Sequence, residues 1–304
     1  ETVFDLASLT KILATTTLAM VRYEQGLLDL DAPLSKLLPS RVAANTSLAR
    51  ITIRHLLTHS SGLPAWKPIY EDMKNFFGSS LFSIPIELRK EKFREYLYQV
   101  PRENAVGEKV VYSDLGFLIL EDILSPSIDC DVGALYASIP NCHLQYRPVV
   151  TDARDESNRI RFAGQSVMMT EMCPWRGLLQ GQVHDDNAWS LGGIAGHAGL
   201  FGTLSDVNAW IAGIFSDVLV SRSTLQTFFS ENEMPPDSRR SLGFVAHYFS
   251  KNSVGHLGFT GTSLWIDLDS GDYAVLLINR VHPSRDDLRV RDLRREFHGR
   301  VREN

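Results

Sequence analysis

The 304-residue chain predicts an α+β fold, an antiparallel sheet flanked by helices with a mostly helical subdomain inserted into it. Three observations carry this. The chain opens on an apolar helix, in which Ile12, Leu13, Thr16, Ala19, Met20 and Tyr23 recur at spacings of three and four. Its middle keeps the helical period. Its last quarter alternates like strands joined by tight turns and closes on a further helix. The expected layout is one domain, with an α/β part from residues 1–22 plus 191–304 and a mostly helical part from 23–190.

Taken in order, Ser8, Leu9, Thr10 and Lys11 open the first helix, and Gly26 is its expected stop because glycine takes a left-handed conformation without steric cost. Gly26–Ser40 reads as a loop and a stub of helix ended by Pro39. Thr52 is an N-cap for a brief helix carrying Ile53, Leu56 and Leu57, stopped by Gly62 and Pro64. His55 and His59 stand four apart. With no third ligand nearby, hydrogen bonding at the helix end fits His59 better than a shared metal. A helix follows within Leu81–Val100, ended by Pro101. Gly107–Leu124 reads as an extended entry, a turn at Tyr112–Asp114 and a buried helix from Leu115.

From Ser125 to Arg161 the pattern dissolves into polar pieces in which no element is placed, and a short strand is expected around Gly164–Met169. Gly181–Gly202 is glycine-dense and marks tight turns. Leu204–Phe215 resumes helical spacing through Val207, Trp210, Ile211 and Ile214. Gly243–Phe249 and Gly255–Asp267 read as strands, Asp269–Asp272 as a hairpin turn, Tyr273–Asn279 as the next strand and Ser284–Val301 as a closing helix.

Composition excludes several classes. With 44% apolar and 22% charged residues and a net charge of −5, the chain is ordinary globular material with no global attraction for nucleic acid. Eight arginines lie in Arg280–Asn304, but Asp286, Asp287, Asp292, Glu296 and Glu303 are interleaved with them. That pattern fits a solvated amphipathic helix rather than a polyanion site. No apolar run reaches the roughly eighteen residues of a membrane helix. Cys130, Cys142 and Cys173 form neither a disulfide framework nor a zinc spacing, and free thiols are expected, with one bridge still open. The compartment stays unassigned.

Ser8-x-x-Lys11 places an ammonium one turn from a hydroxyl, an arrangement that activates a nucleophile, although on its own it equally fits a capped helix start. Tyr112-Ser113-Asp114 follows about a hundred residues later, and His256-Leu257-Gly258 sits on a late strand. Together with FDLASLTK, ITIRHLLTHSSGLP, GGIAGHAGLFGT and GHLGFTGTSLWID, these motifs resemble the serine beta-lactamase and penicillin-binding-protein superfamily. The likeness is to the branch of class C beta-lactamases, D-alanyl-D-alanine carboxypeptidases and related esterases.

The resemblance implies a serine hydrolase acting through an acyl-enzyme on Ser8, with Lys11 and Tyr112 managing the proton and either of them as the base. It implies an oxyanion site at the amides of Ser8 and Phe259, with Asp114, His256 and Gly258 facing the substrate. That substrate would be an ester, a beta-lactam or a D-alanyl peptide, and no metal or organic cofactor is called for. Three departures bear on this. Asp114 stands where the branch has Asn, and a carboxylate cannot donate an amide hydrogen bond. It can instead pair with Lys11 and hold it charged. His256 stands where a lysine usually takes a substrate carboxylate, which favours esterase-like breadth. The strand hairpin that usually precedes the Ser-x-x-Lys helix is missing from this sequence, so the chain is expected to be a fragment or its sheet reduced. A non-hydrolytic penicillin-binding or sensor protein, or an inactive truncated remnant, are the alternatives.

Overall fold

A computed structural model describes residues 1–124, 128–146, 166–230, 238–248, 250–287 and 289–303. Strand β1 (Thr2–Asp5) leads into a turn at Ala7–Ser8, a π-wound segment Lys11–Thr16 and the α-helix Thr17–Glu24. The π winding has a local cause. The Thr17 hydroxyl donates to the Ile12 carbonyl five residues back (2.8 Å), while Thr15 donates to Gly196 O (2.6 Å), so this β-branched run is tied by its side chains. Every residue from Lys11 to Thr16 is buried. Gly26 ends the helix at φ +71°.

Ten strands are described, in three sheets. The first has the order β2-β6-β1-β3, from β2 (Gln145–Tyr146), β6 (Leu200–Gly202), β1 and β3 (Ser166–Val167), with β1 and β3 parallel. A hairpin joins β4 (Met169–Cys173) to β5 (Gly177–Gln180). The last is an antiparallel meander ordered β10-β9-β8-β7, from β7 (Val245–Ala246), β8 (Ser253–Leu257), β9 (Ser263–Asp267) and β10 (Tyr273–Leu276). The class is α+β, as expected. The detail differs: β1 does not join the C-terminal meander but pairs with β6, antiparallel, through Phe4 and Gly202.

The helix Leu204–Phe215 has the bounds its periodicity predicts, and Thr203 and Asp206 form a capping box at its start. Thr52 caps the helix Ile53–Leu57, with His55 closing the reciprocal bond. Pro39 does not end a helix but begins the next, Pro39–Val42, at a position where its missing N–H costs nothing. The helix Ile128–Ala137 falls where no element was placed. Asp129, Asp131 and Gly133 obscure its pattern, yet its buried Ile128, Val132 and Tyr136 recur every fourth residue.

The expected strand Gly164–Met169 is β3 and the start of β4, with residues 164 and 165 outside the described set. The rest of the unplaced stretch, 125–127 and 147–161, also lies outside it. The closing helix spans Arg289–Glu303, after turns that occupy its expected first residues. All three cysteines are free, with Cys142 and Cys173 buried and Cys130 exposed. Among the described residues no helix is long and apolar enough to cross a membrane.

Candidate active site

The site begins at the end of β1. Asp5 is buried, and its carboxylate accepts from the amides of Ala7 (2.8 Å) and His184 (2.7 Å). Burial pushes its pKa up to about 6, against the pull of these two bonds. Ala7 stands at φ +47°, a left-handed conformation that is strained for a residue with a Cβ and costs on the order of 1 kcal/mol or more. The turn is braced from the meander as well. Thr260 Oγ1 donates to Asp5 O (2.8 Å) and Thr262 Oγ1 to Leu6 O (3.0 Å). Ser8 therefore projects from a turn held on two sides.

Lys11 lies wholly buried beneath it. Its Nζ is 3.0 Å from Ser8 Oγ, 3.2 Å from His197 O and 2.6 Å from Asp114. Burial alone favours the neutral amine, but the charge of Asp114, with Tyr112 and the bond to Asp114, outweighs it and raises the pKa above the ordinary lysine value. Lys11 is an ammonium. The ion pair expected of Asp114 is present.

Tyr112 is positioned by the segment after helix Ile53–Leu57. His59, at φ +57°, accepts the Ser113 amide on Nδ1 (3.0 Å) and the Val111 amide on its carbonyl (2.9 Å), while Ser113 Oγ donates to Pro64 O (2.7 Å). His59 and His55 thus turn to separate partners, since His55 Nδ1 bonds Thr52. The Tyr112 ring centroid lies 4.6 Å from that of His59, 5.6 Å from that of His256 and 4.9 Å from Lys11 Nζ. Burial raises its pKa. The charge of Lys11 and side-chain hydrogen bonding from Lys11 and Ser8 oppose that shift, and the phenol stays protonated.

Beside Tyr112, β8 delivers His256 and then the turn Gly258–Thr262. A Cβ on Gly258 would stand 2.0 Å from Thr262 Oγ1 and 2.8 Å from Leu6 O, so this close approach admits only glycine. Arg294 donates to Gly258 O (3.0 Å) and Arg280 to Phe259 O (2.9 Å), giving two arginines of the C-terminal run a bracing role that composition did not reveal. Among the described residues the amides of Ser8 and Phe259 donate to no internal partner. Ser8, Tyr112, Asp114, His256, Gly258 and Phe259 all line one cavity of about 630 Å³, with Trp66 and Leu257 at its apolar side. Lys11 lies below its floor.

Four further groups belong to the site and were not singled out from the sequence. His197 Nε2 bonds Asp185 Oδ1 at 2.8 Å. Burial opposes both charges, yet the pair holds Asp185 below the usual carboxylate range and His197 above the usual imidazole value. Arg240 lies with its guanidinium carbon 5.9 Å from the Tyr112 centroid, and its Nη1 is buried without a hydrogen bond. His184 stacks on Phe259 at 5.4 Å between centroids and bonds Glu171 at 2.9 Å, which Arg285 grips in turn. The glycine-dense stretch was the signal for His184 and Asp185, and His197 stands within GGIAGHAGLFGT; their partners lie twelve and thirteen residues away.

Asp114, Asp185 and His197 bring ligand atoms within 4.8 Å of one another, the spacing of a cation site. Lys11 already supplies the positive charge to Asp114, and Asp185 is already bonded to His197.

Comparison with known proteins gives the family. The family model described as Beta-lactamase matches residues 1–126 and 140–298, and the chain belongs to that family. Among curated relatives, the N-acetylmuramyl-L-alanine amidase of Bacillus subtilis (strain 168) is 28% identical, over 93% of this chain and 69% of the relative. The putative D-alanyl-D-alanine carboxypeptidase of Salmonella agona (strain SL483) is 29% identical, over 93% and 70%. Among solved structures, unliganded simvastatin synthase (LovD) from Aspergillus terreus superposes with a TM-score of 0.67 at 19% identity, covering 99% of this chain and 83% of that one. A penicillin binding protein from Bacillus halodurans gives 0.64 at 17% identity, covering 97% and 85%. The names of the relatives place hydrolase activity within the family.

Proposed function

We propose that the chain is a serine hydrolase that cleaves an ester or small amide through an acyl-enzyme on Ser8. The observation that carries this is the contact of Lys11 Nζ with Ser8 Oγ at 3.0 Å, beneath a cavity that Tyr112 also lines. Because Lys11 rests charged and Tyr112 rests neutral, the proton is relayed rather than stored. As Ser8 Oγ bonds the carbonyl carbon, its proton passes to Tyr112 Oη while the phenol's own proton passes to the leaving group, whose bond to carbon breaks. Lys11 stabilises the negative charge that passes across the two oxygens. The amides of Ser8 and Phe259 receive the oxyanion, and water reverses the relay to free the acid.

Arg240 bears on the substrate. A buried, unpaired guanidinium nitrogen beside the proton donor favours an anionic group next to the scissile bond, as in a D-alanyl peptide. Labelling by a fluorophosphonate or a fluorescent penicillin tests the nucleophile: Ser8→Ala is expected to abolish it with the fold intact, and equal labelling of the variant removes Ser8 from this role. A second reading, a penicillin-binding sensor that acylates without turnover, draws on the 2.6 Å Lys11–Asp114 pair, which withholds the amine as a base. An adduct that forms and never clears supports it.

A further inference from the structure

His256 is 2% exposed and lines the cavity beside Tyr112. Its Nδ1 lies 2.8 Å from Leu257 O. A carbonyl only accepts, so Nδ1 carries the hydrogen and Nε2 of the neutral ring presents a lone pair. That Nε2 is buried and has no partner. A neutral ring in this tautomer has nothing to offer a carboxylate, which needs a donor. It offers an acceptor, and a buried acceptor left unmet is costly.

We infer that His256 Nε2 is a specificity-determining acceptor for an N–H carried by the substrate's leaving group, so that the site takes secondary amides in preference to esters, while Arg240 takes the anionic end. The inference rests on the Ser8 acyl-enzyme reading and deepens it. The nitrogen of a scissile amide becomes tetrahedral during attack. It can then receive the Tyr112 proton on its lone pair while its own hydrogen points to His256. An ester oxygen has no such hydrogen, and neither has the scissile nitrogen of a beta-lactam. The cations around the ring support the same state. Burial, with Lys11 and Arg240, pushes the His256 pKa down to about 3, and neither the ring packed on it, Tyr112, nor the neutral His59 behind Tyr112 supplies negative charge.

The test compares an N-acyl-D-alanyl-D-alanine peptide with the matched D-alanyl-D-lactate depsipeptide, which differs only by oxygen in place of N–H. For His256→Phe, kcat/KM on the peptide is expected to fall about 100-fold or more, and on the depsipeptide by no more than about threefold. His256→Gln, whose side-chain carbonyl can accept, is expected to recover part of the loss. Equal losses on both substrates overturn the inference, as does a gain on both with His256→Lys.

Nitrogen-15 NMR of the Ser8→Ala protein gives a reading that needs neither turnover nor a folded His256 variant. The Nδ1–H tautomer of His256, with a bare Nε2, is expected from pH 5 to 8. An imidazolium at pH 5 or an Nε2–H tautomer overturns it. Absence of any Ser8 adduct in the wild type, with the NMR result as expected, overturns the acyl-enzyme reading instead and leaves the acceptor assignment standing.

Discussion

The two walls of the cavity are built on opposite terms. On the nucleophile wall the groups around Ser8 are tied together: Asp5 holds Ala7 and His184, Lys11 holds Ser8, His197 O and Asp114, and Asp185 holds His197, whose Nδ1 is left buried without a partner. On the facing wall, beside Tyr112, His256 Nε2 and Arg240 Nη1 are buried with no partner. Buried polar groups are normally satisfied, so orphans converging on one cavity mark the place where a ligand completes the structure. The lesson is a division of labour, with the reacting group fixed by the protein and the substrate read by what the protein leaves unmet.

The largest way to break this comparison is Lys11→Ala. It removes the cation beneath Ser8 and leaves Asp114 without its partner, and acylation by a p-nitrophenyl ester, followed by stopped-flow absorbance, is expected to slow by about 10³-fold. A loss under tenfold detaches Lys11 from the chemistry. On the other wall, Arg240→Ala is expected to raise KM for carboxylate-bearing substrates by about 30- to 100-fold while a neutral p-nitrophenyl ester changes less than threefold, and a parallel loss on both refutes the anion role. Asp114→Asn keeps the shape and removes the charge that holds Lys11 protonated. Penicillin acylation, read by fluorescent labelling, is expected to slow by roughly tenfold, with unchanged or quicker labelling as the contrary result.

The smallest effects are in stability against pH. His184 and His298 are each pushed down to about 4 and His256 to about 3, chiefly by burial. The unfolded chain therefore binds more protons than the folded one from about pH 4 up to the ordinary histidine range, and stability rises with pH across that window. Asp5 acts in the opposite sense. Its folded pKa of about 6 lies above the ordinary 3.8, so the folded state binds the extra proton and this contribution is lost as pH rises from about 4 to 6. Asp5→Asn is expected to steepen the gain in denaturation midpoint between pH 4 and 6. An unchanged slope means that Asp5 titrates normally.

Much of the fold could be read from local chemistry. The helix Leu204–Phe215, the Thr52 cap and the turn into Asp114–Leu124 follow from spacing and capping residues within one or two turns. What escaped depends on distance in sequence. β1 has four residues, too few to show alternation, and its existence rests on pairing with Leu200–Gly202. The β4–β5 hairpin was expected only as a single strand. At the site, Ser8, Lys11, Tyr112 and His256 were legible because motifs carry them. Asp185 and Arg240 were not, and His197 passed unremarked inside GGIAGHAGLFGT, because pairing or burial, not residue type, gives each its meaning.

The central claim is that a hydroxyl, an ammonium and a phenol brought together from distant segments perform acyl transfer on Ser8. Intact-mass spectrometry with peptide mapping, after incubation with a p-nitrophenyl ester and with a beta-lactam, tests it most directly. The account predicts one acyl adduct per chain, mapped to Ser8, with the ester adduct clearing faster than the beta-lactam adduct. An adduct at another residue, or none with either compound, contradicts it.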